Sequence, residues 1–250
     1  MSTSGEIRIL TTPQELFAAA AEEVVRIANQ SVAERGRFTI ALSGGSTPKS
    51  LFNLLASNAK ATLPWDRTFF FWSDERHVGP DDPDSNYHMA NQAMLSKVPV
   101  PAGNVFRMPA ENPDAAAAAQ AYEQTVRKFF QMESGVPQFD LILLGMGPDG
   151  HTASLFPGTA ALQEKSKLVV ANWVEKLETH RLSFTLPLIN AAREVSFLVG
   201  GMDKASVLKT VLEENAPEDQ YPSKLVNPTQ GKLIWFIDRA AASALASPSK

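Results

Sequence analysis

Short apolar runs alternate with amphipathic stretches along the chain, and this alternation predicts strands and helices in turn. Bulky runs between polar or glycine-containing segments predict strands at residues 6–10, 38–42, 68–72, 104–108, 139–144, 195–199 and 233–237, with extended segments at 167–173 and 181–185. Helical spacing and capping residues predict helices at residues 13–34, 87–96, 113–132, 204–214 and 239–246, another after Pro48, and a turn or helix from Pro187.

Strands that alternate with helices indicate an α/β fold with a mostly parallel, Rossmann-like sheet flanked by helices. The sequence shows no internal repeat, no low-complexity linker and no clear boundary between parts. We therefore expect a single domain over residues 1–250.

Four of the predicted strands lead into polar or glycine-rich segments, at residues 43–47, 73–76, 145–151 and 200–204. Parallel strands have their carboxyl ends at one edge of a sheet, and open α/β sheets bind ligands outside that edge. We expect the four segments to form one pocket with a phosphate-binding loop, two or three cations, carboxylates and one histidine.

The first of these segments reads Ser-Gly-Gly-Ser-Thr-Pro and leads into a helix. The glycines let the backbone wrap around an anion, and the hydroxyl groups add hydrogen-bond donors. A helix N-terminus also favours phosphate, through its free N–H groups and partial positive charge. The alternative is a plain strand-to-helix turn. The pattern favours phosphate binding by Ser43, Gly44, Gly45 and Ser46.

The segment after residues 139–144 carries Asp149 and His151 among three glycines. Histidine exchanges protons near neutral pH, so His151 is the candidate general base, and Asp149 either orients it or binds substrate. The alternative is a histidine that only caps a turn. The glycine spacing also matches a dinucleotide fingerprint. We expect no such cofactor, because Pro157 leaves little room for the required helix and Asp149 would repel a pyrophosphate.

Cations accompany two of the segments. The planar guanidinium of Arg76 suits a phosphate or a carboxylate, and Asp74 or Glu75 could hold it. Lys204 opens a predicted helix, where a cation opposes the dipole and so suggests an anionic partner. The alternative for Lys204 is a surface lysine. Asp203 is expected to cap the same helix.

Composition and charge exclude several classes of function. The chain has no cysteine, which rules out disulfides, thiolate metal ligands and thiol nucleophiles. Its net charge of −4 argues against nonspecific nucleic-acid binding. No signal peptide is visible, and no apolar run approaches the ~20 residues that span a bilayer. We expect a cytoplasmic protein that binds neither nucleic acid nor membrane.

The four segments together resemble the 6-phosphogluconolactonase family, in that family's order. The similar motifs are SGGSTP, SDERHV with the following DSNY, GMGPDGHTASLFPG and GGMDKA, and the closing YPSKLVNP and WFIDRAA are similar too. The resemblance covers nearly the whole chain. It implies a fold of the sugar-phosphate isomerase and deaminase type. It also implies hydrolysis of 6-phospho-D-glucono-1,5-lactone to 6-phosphogluconate in the oxidative pentose phosphate pathway, without metal or cofactor.

The resemblance also implies roles for individual residues. His151 would take a proton from the water that attacks the lactone carbonyl, with Asp149 beside it. The 6-phosphate and the rest of the substrate would be bound by Ser43, Gly44, Gly45, Ser46, Asp74, Arg76, Arg181 and Lys204. The assignment of Arg181 as a candidate hydrogen-bond donor to the oxyanion rests mainly on the family pattern.

Two other functions share much of this pattern. The related glucosamine-6-phosphate deaminase family has a glutamate five residues after the histidine, where this chain has Phe156. A phenyl ring cannot accept a proton, so the lactonase is favoured. A non-catalytic sugar-phosphate sensor would use the same phosphate site but would not need His151. For the oligomeric state we expect a monomer or a weak homodimer.

Overall fold

The structure is a computed structural model that describes residues 5–57 and 63–246. In these ranges the strands are β1 (Glu6–Leu10), β2 (Phe38–Leu42), β3 (Thr68–Trp72), β4 (Asp74–Arg76), β5 (Leu141–Leu144), β6 (Val169–Val174), β7 (Thr179–Phe184), β8 (Glu194–Val199) and β9 (Lys232–Asp238). Six of them form a parallel sheet in the order β1-β9-β8-β5-β2-β3. Strands β4, β7 and β6 form a small antiparallel sheet. The predicted α/β class is therefore confirmed, whereas the single domain stays a prediction.

The α-helices of the described residues are α1 (Pro13–Arg35), α2 (Ser46–Ser57), α3 (Asn86–Ala93), α4 (Ala115–Phe130), α5 (Leu186–Asn190) and α6 (Ala205–Glu213). Side-chain caps explain where several of them begin. Thr12 accepts a hydrogen bond from the backbone N–H of Glu15 at 3.2 Å, and Ser85 and Asp114 cap α3 and α4 in the same way. The predicted cap for α3 was Asn86, one residue later.

The centre of the parallel sheet is buried on both faces. Every residue of β2, β5 and β8 is buried, as expected for parallel strands that lie between layers of helix. Buried side chains on one face of α1, including Leu16, Val24 and Ile27, belong to the same hydrophobic core. This rigid centre carries three of the four polar segments at its carboxyl edge.

The sequence predicts that this strand begins at residue 139, but β5 begins at Leu141. The contacts of Asp140 account for the difference. Its carboxylate is buried and accepts hydrogen bonds from the backbone N–H and the hydroxyl of Thr39, each at 2.8 Å. The guanidinium of Arg35 lies 3.1 Å away. Asp140 therefore ties the start of β5 to β2 and to the C-terminus of α1.

Residues 104–108 form no strand, so that prediction is wrong. Val105 alone bridges to Phe70 in β3, and the backbone N–H of Phe106 donates to the Phe70 carbonyl at 2.8 Å. A 3₁₀ turn at Ala102–Asn104 precedes this single bridge and Pro109 follows it, so few residues are available for longer pairing.

Several predicted helices are shorter than expected: α4 spans Ala115–Phe130 instead of residues 113–132, α6 spans Ala205–Glu213 instead of 204–214, and two others differ more. The segment at 239–246 contains only a 3₁₀ turn at Ala241–Ala244. The helix predicted at 87–96 ends at Ala93, because Met94 leaves the helical region with φ −139°. The predicted cap of α6 is also wrong: a 3₁₀ turn at Met202–Lys204 precedes that helix, and Asp203 makes no capping hydrogen bond.

Candidate active site

A cleft of about 400 Å³ lies at the carboxyl edge of the parallel sheet. Residues from all four polar segments line it, including Ser43, Gly44, Gly45, Ser46, Asp74, Arg76, His151, Arg181 and Lys204. The structure thus brings together every predicted site residue except Asp149, which lies directly behind His151. This convergence follows from the adjacent positions of β8, β5, β2 and β3 in the sheet.

His151 and Asp149 form a close pair on the loop after β5. The Nδ1 atom of the imidazole lies 2.5 Å from Oδ1 of Asp149. Burial alone would raise the pKa of Asp149, but hydrogen bonds from His151 and Lys176 outweigh it and hold that pKa well below its usual range. Asp149 is therefore a carboxylate at neutral pH, flanked by an imidazole and an ammonium group.

Phe156 and Lys176 complete the surroundings of this pair. The phenyl ring of Phe156 stacks on the His151 imidazole, with 4.1 Å between ring centroids, and the Lys176 ammonium lies 4.8 Å from the same phenyl centroid. Lys176 sits at the tip of the β6–β7 hairpin and forms an ion pair with Asp149. Lys176 is not among the residues predicted from the sequence, because no local pattern shows that a hairpin 25 residues away folds onto the loop.

Side-chain hydrogen bonds fix the loop that carries His151. Thr152 donates to the carbonyl of Gly145 at 2.9 Å, and Ser223 donates to the carbonyl of Gly150 at 2.8 Å. Ser154 donates to the Asp74 carboxylate at 2.7 Å. The histidine is therefore held on a preorganised loop, as catalysis by a positioned base requires.

Gly147 has a steric role in the same loop. A Cβ at this position would lie 2.0 Å from Nδ1 of His151, far inside van der Waals contact. Any side chain there would displace the imidazole. The close approach of backbone and ring therefore requires glycine at this position.

The predicted phosphate loop leads directly into α2, which begins at Ser46. The backbone N–H of Lys49 donates to the carbonyl of Gly45 at 3.1 Å, so helical hydrogen bonding starts at the glycine pair. The hydroxyl of Ser43 is buried and has no hydrogen-bond partner among the described residues. The first turn of α2 therefore opens onto the cleft beside an unpaired hydroxyl.

Two arginines face each other across the antiparallel sheet at the cleft. Arg76 in β4 is paired in register with Arg181 in β7. Burial, and then repulsion from Arg76, lower the pKa of Arg181. Two guanidinium groups side by side are a candidate site for an anion.

The prediction that Asp74 or Glu75 holds Arg76 is wrong. The guanidinium of Arg76 donates to the backbone carbonyl of Asp84. Glu75 is buried and accepts hydrogen bonds from the backbone N–H groups of Asn86 and Tyr87, at 2.6 and 2.8 Å, so it anchors the start of α3. Burial raises the pKa of Glu75.

Lys204 reaches the cleft from the loop after β8, at the start of α6. Its ammonium lies 3.0 Å from the exposed carboxylate of Asp203. The loop is held by Asp238 at the end of β9, whose buried carboxylate accepts from the backbone N–H of Gly201 at 3.0 Å and that of Ala241 at 2.7 Å. Lys204 thus supplies a positive charge on the side of the cleft formed by β8.

Two further features concern residues 5–57 and 63–246, a metal site and a membrane-spanning helix. No three histidine, aspartate or glutamate side chains in these ranges are grouped so that they could hold a metal ion. No helix there is long and apolar enough to cross a bilayer. The motif at residues 145–150 also lacks the helix of a dinucleotide site, since the described residues 145–159 contain none.

Known proteins resemble this chain in both sequence and fold. The family model described as Glucosamine-6-phosphate isomerases/6-phosphogluconolactonase matches residues 11–235. A 6-phosphogluconolactonase of Synechocystis sp. is 45% identical over 241 residues, which cover 96% of this chain and 98% of that protein. The solved 6-phosphogluconolactonase from Trypanosoma cruzi is 31% identical with a TM-score of 0.87, over 99% of both chains. A monomeric glucosamine-6-phosphate deaminase shares the fold at a TM-score of 0.75 and 23% identity, over 96% of this chain and 99% of that one.

The fold and the relatives together therefore define an α/β enzyme, and its candidate site is the cleft at the carboxyl edge of the parallel sheet. The chain belongs to the glucosamine-6-phosphate isomerase/6-phosphogluconolactonase family. Its membership confirms the resemblance that the sequence motifs indicate, and with it the prediction of an enzyme.

Proposed function

We propose that this enzyme hydrolyses 6-phospho-D-glucono-1,5-lactone to 6-phosphogluconate, with His151 as general base. The observation that carries the proposal is the His151–Asp149 pair beside a cleft lined by four cationic side chains, those of Arg76, Lys176, Arg181 and Lys204. The relatives named 6-phosphogluconolactonase, which match nearly the full length of the chain, support the same reaction.

The geometry of the pair favours one arrangement of the protons. An N–H at Nδ1 of His151 donates to Asp149, which leaves Nε2 as the atom that accepts a proton. Water bonds through its oxygen to C1 of the lactone while its proton passes to Nε2. The bond between C1 and the ring oxygen then breaks, and the ring oxygen takes the proton from Nε2. A positioned general base contributes about 10²–10⁴-fold to the rate.

Asp149 acts on the imidazole rather than on the substrate in this scheme. It is absent from the residues that line the cleft and instead lines a neighbouring groove on the other side of the loop. Its carboxylate is already engaged by His151 and Lys176. This arrangement favours the orienting role among the two that the sequence left open.

The phosphate would be bound at the N-terminus of α2, where Gly44 and Gly45 lead into Ser46, with Arg76 and Lys204 supplying charge. A helix N-terminus and cations are the groups that stabilise a phosphate dianion. Arg181, the register partner of Arg76, is the candidate to bind either the phosphate or the oxygen of C1 as it becomes negative. Asp74 would repel a phosphate, so we assign it to a sugar hydroxyl.

The stacking of Phe156 on His151 favours the lactonase over a deaminase. The deaminase pattern needs a proton-transferring glutamate at this position, whereas here a buried hydrocarbon ring covers one face of the imidazole. A lactone is already an ester and needs only water and one proton relay. A metal or organic cofactor has no step in this scheme.

The test is acid release from the lactone, with the spontaneous rate subtracted. His151→Ala should lower kcat by about 10²–10⁴-fold, whereas His88→Ala, at a histidine on α3 outside the cleft, should retain wild-type turnover. Turnover retained by the His151 variant would remove this residue from the mechanism. Binding without turnover in the wild type would support a sensor, and ammonia release from glucosamine 6-phosphate would support a deaminase.

A further inference from the structure

The strongest unexplained feature of the cleft is a buried, unpartnered oxygen. Asn86, at the first position of α3, is only 1% exposed. Its side-chain oxygen, Oδ1, has no hydrogen-bond partner among the described residues. Leaving a buried acceptor unsatisfied costs about 1–3 kcal/mol, so such groups in a binding cleft point to a ligand.

The orientation of the Asn86 amide is fixed by its other end. Its NH₂ group donates to the backbone carbonyl of Asp74 at 2.9 Å and to Oδ1 of the same residue at 3.3 Å. A flipped amide would place its oxygen against these two acceptors, which is repulsive. Oδ1 must therefore point away from Asp74.

Gly44 leaves the space that this oxygen occupies. A Cβ on Gly44 would lie 1.9 Å from Oδ1 of Asn86, and both residues line the cleft. The glycine is thus required for the close approach of the amide, a role different from the backbone freedom predicted from the sequence. Asn86 and the phosphate-binding loop therefore share one corner of the cleft.

We propose that Oδ1 of Asn86 accepts a hydrogen bond from a hydroxyl group of the sugar, and that Asn86 and Asp74 form a polyol subsite beside the phosphate site. This inference rests on the proposed sugar-phosphate substrate. A phosphate near neutral pH is largely a dianion with no proton to donate, so it cannot satisfy Oδ1. The Asp74 carboxylate beside it would repel that charge as well. An alcohol hydroxyl supplies the required donor.

The test separates polyol binding from phosphate binding. Asn86→Ala should raise the Kd for 6-phosphogluconate about tenfold, which corresponds to one hydrogen bond of about 1.4 kcal/mol, and leave the Kd for inorganic phosphate unchanged. The matched control is Asn104→Ala, at a buried asparagine that donates to the carbonyls of Asp66 and Thr68 outside the cleft. It should lower stability without changing either Kd. An unchanged Kd for 6-phosphogluconate, or an equal loss for both ligands, would overturn the proposal.

A second arm uses the wild-type protein, in case the Asn86 variant does not fold. Among monodeoxy analogues of 6-phosphogluconate, one should bind to the wild type about tenfold more weakly than the parent; where the Asn86→Ala variant folds, that loss should disappear in its background. If the wild type discriminates against none of the analogues, the subsite does not exist. Asn86-dependent binding in a protein that fails to hydrolyse the lactone would support the subsite while refuting the proposed reaction.

Discussion

Glu194 gives a quantitative prediction for the side of the molecule opposite the cleft. It is the first residue of β8 and is 4% exposed. Arg26 lies 3.5 Å from its carboxylate, but the same guanidinium is bound more closely to Glu23, with Nε–Oε1 at 3.0 Å. Burial, and then repulsion from Glu23, raise the pKa of Glu194 from 4.5 to about 7, against the hydrogen bond from Ser196 and the charges of Arg26 and Lys232.

The folded state therefore holds the proton of Glu194 more tightly than the unfolded chain does. The stability from this group is fully present below pH 4.5 and is lost as the pH rises through about 7. The difference between the two pKa values corresponds to about 3 kcal/mol of unfolding free energy, at about 1.36 kcal/mol for each tenfold change in proton affinity.

The perturbation is Glu194→Gln, which keeps the shape of the protonated acid and cannot ionise. Urea unfolding followed by tryptophan fluorescence would give the free energy of unfolding at about pH 5 and about pH 9. The free energy of unfolding of the variant, relative to that of the wild type, should rise by about 3 kcal/mol from the lower to the higher pH. Glu22→Gln, at an exposed carboxylate on α1, should show no such gain. A difference between Glu194→Gln and wild type that does not change with pH would refute the reasoning.

Three further outcomes concern the cleft. Gly44→Ala should lower kcat/KM at least about tenfold, because its Cβ would displace Asn86. Gly79→Ala should leave kcat/KM unchanged, because no atom lies within 4 Å of its new Cβ. Equal activity of the two variants would contradict the steric argument. Lys176→Met removes the ion pair with Asp149 and should lower kcat by up to about fivefold with KM little changed, since exposed ion pairs contribute about 0.2–1 kcal/mol. Lys176→Arg should restore kcat. A change confined to KM would indicate that Lys176 contacts the substrate instead. A strong chelator should leave turnover intact, and activity lost to it and restored by a divalent ion would contradict the metal-free scheme.

The parallel sheet was predictable because its strands are continuous apolar runs. Residues 38–42 and 68–72 form strands with the predicted bounds, since a strand buried on both faces has little freedom in composition. Capped helix ends were equally visible, as at Thr12. The segment at 104–108 misled the prediction because bulky residues alone do not show whether a neighbouring strand has room for a long pairing.

Parts of the site that depend on distant segments were not predictable. His151 and Arg76 stand in local glycine-rich or charged motifs, so the sequence alone drew attention to them. Lys176 and Asn86 reach the cleft only through the packing of a hairpin and a helix onto other loops. The role of Gly44 was read as flexibility, because steric contact with a residue 42 positions later leaves no trace in the local sequence.

The place of β9 in the sheet has a consequence for folding on the ribosome. Among the described residues this strand is the last in sequence, yet it lies between β8 and β1, the first of them. β1 therefore has no neighbour in the parallel sheet until residues 232–238 have been synthesised and have left the exit tunnel. The loop after β8 likewise lacks its anchor, Asp238, until then. A nascent chain that stops short of this point leaves β1 unpaired and would be a target for chaperones, and the loop that carries Lys204 is anchored only once β9 has joined the sheet.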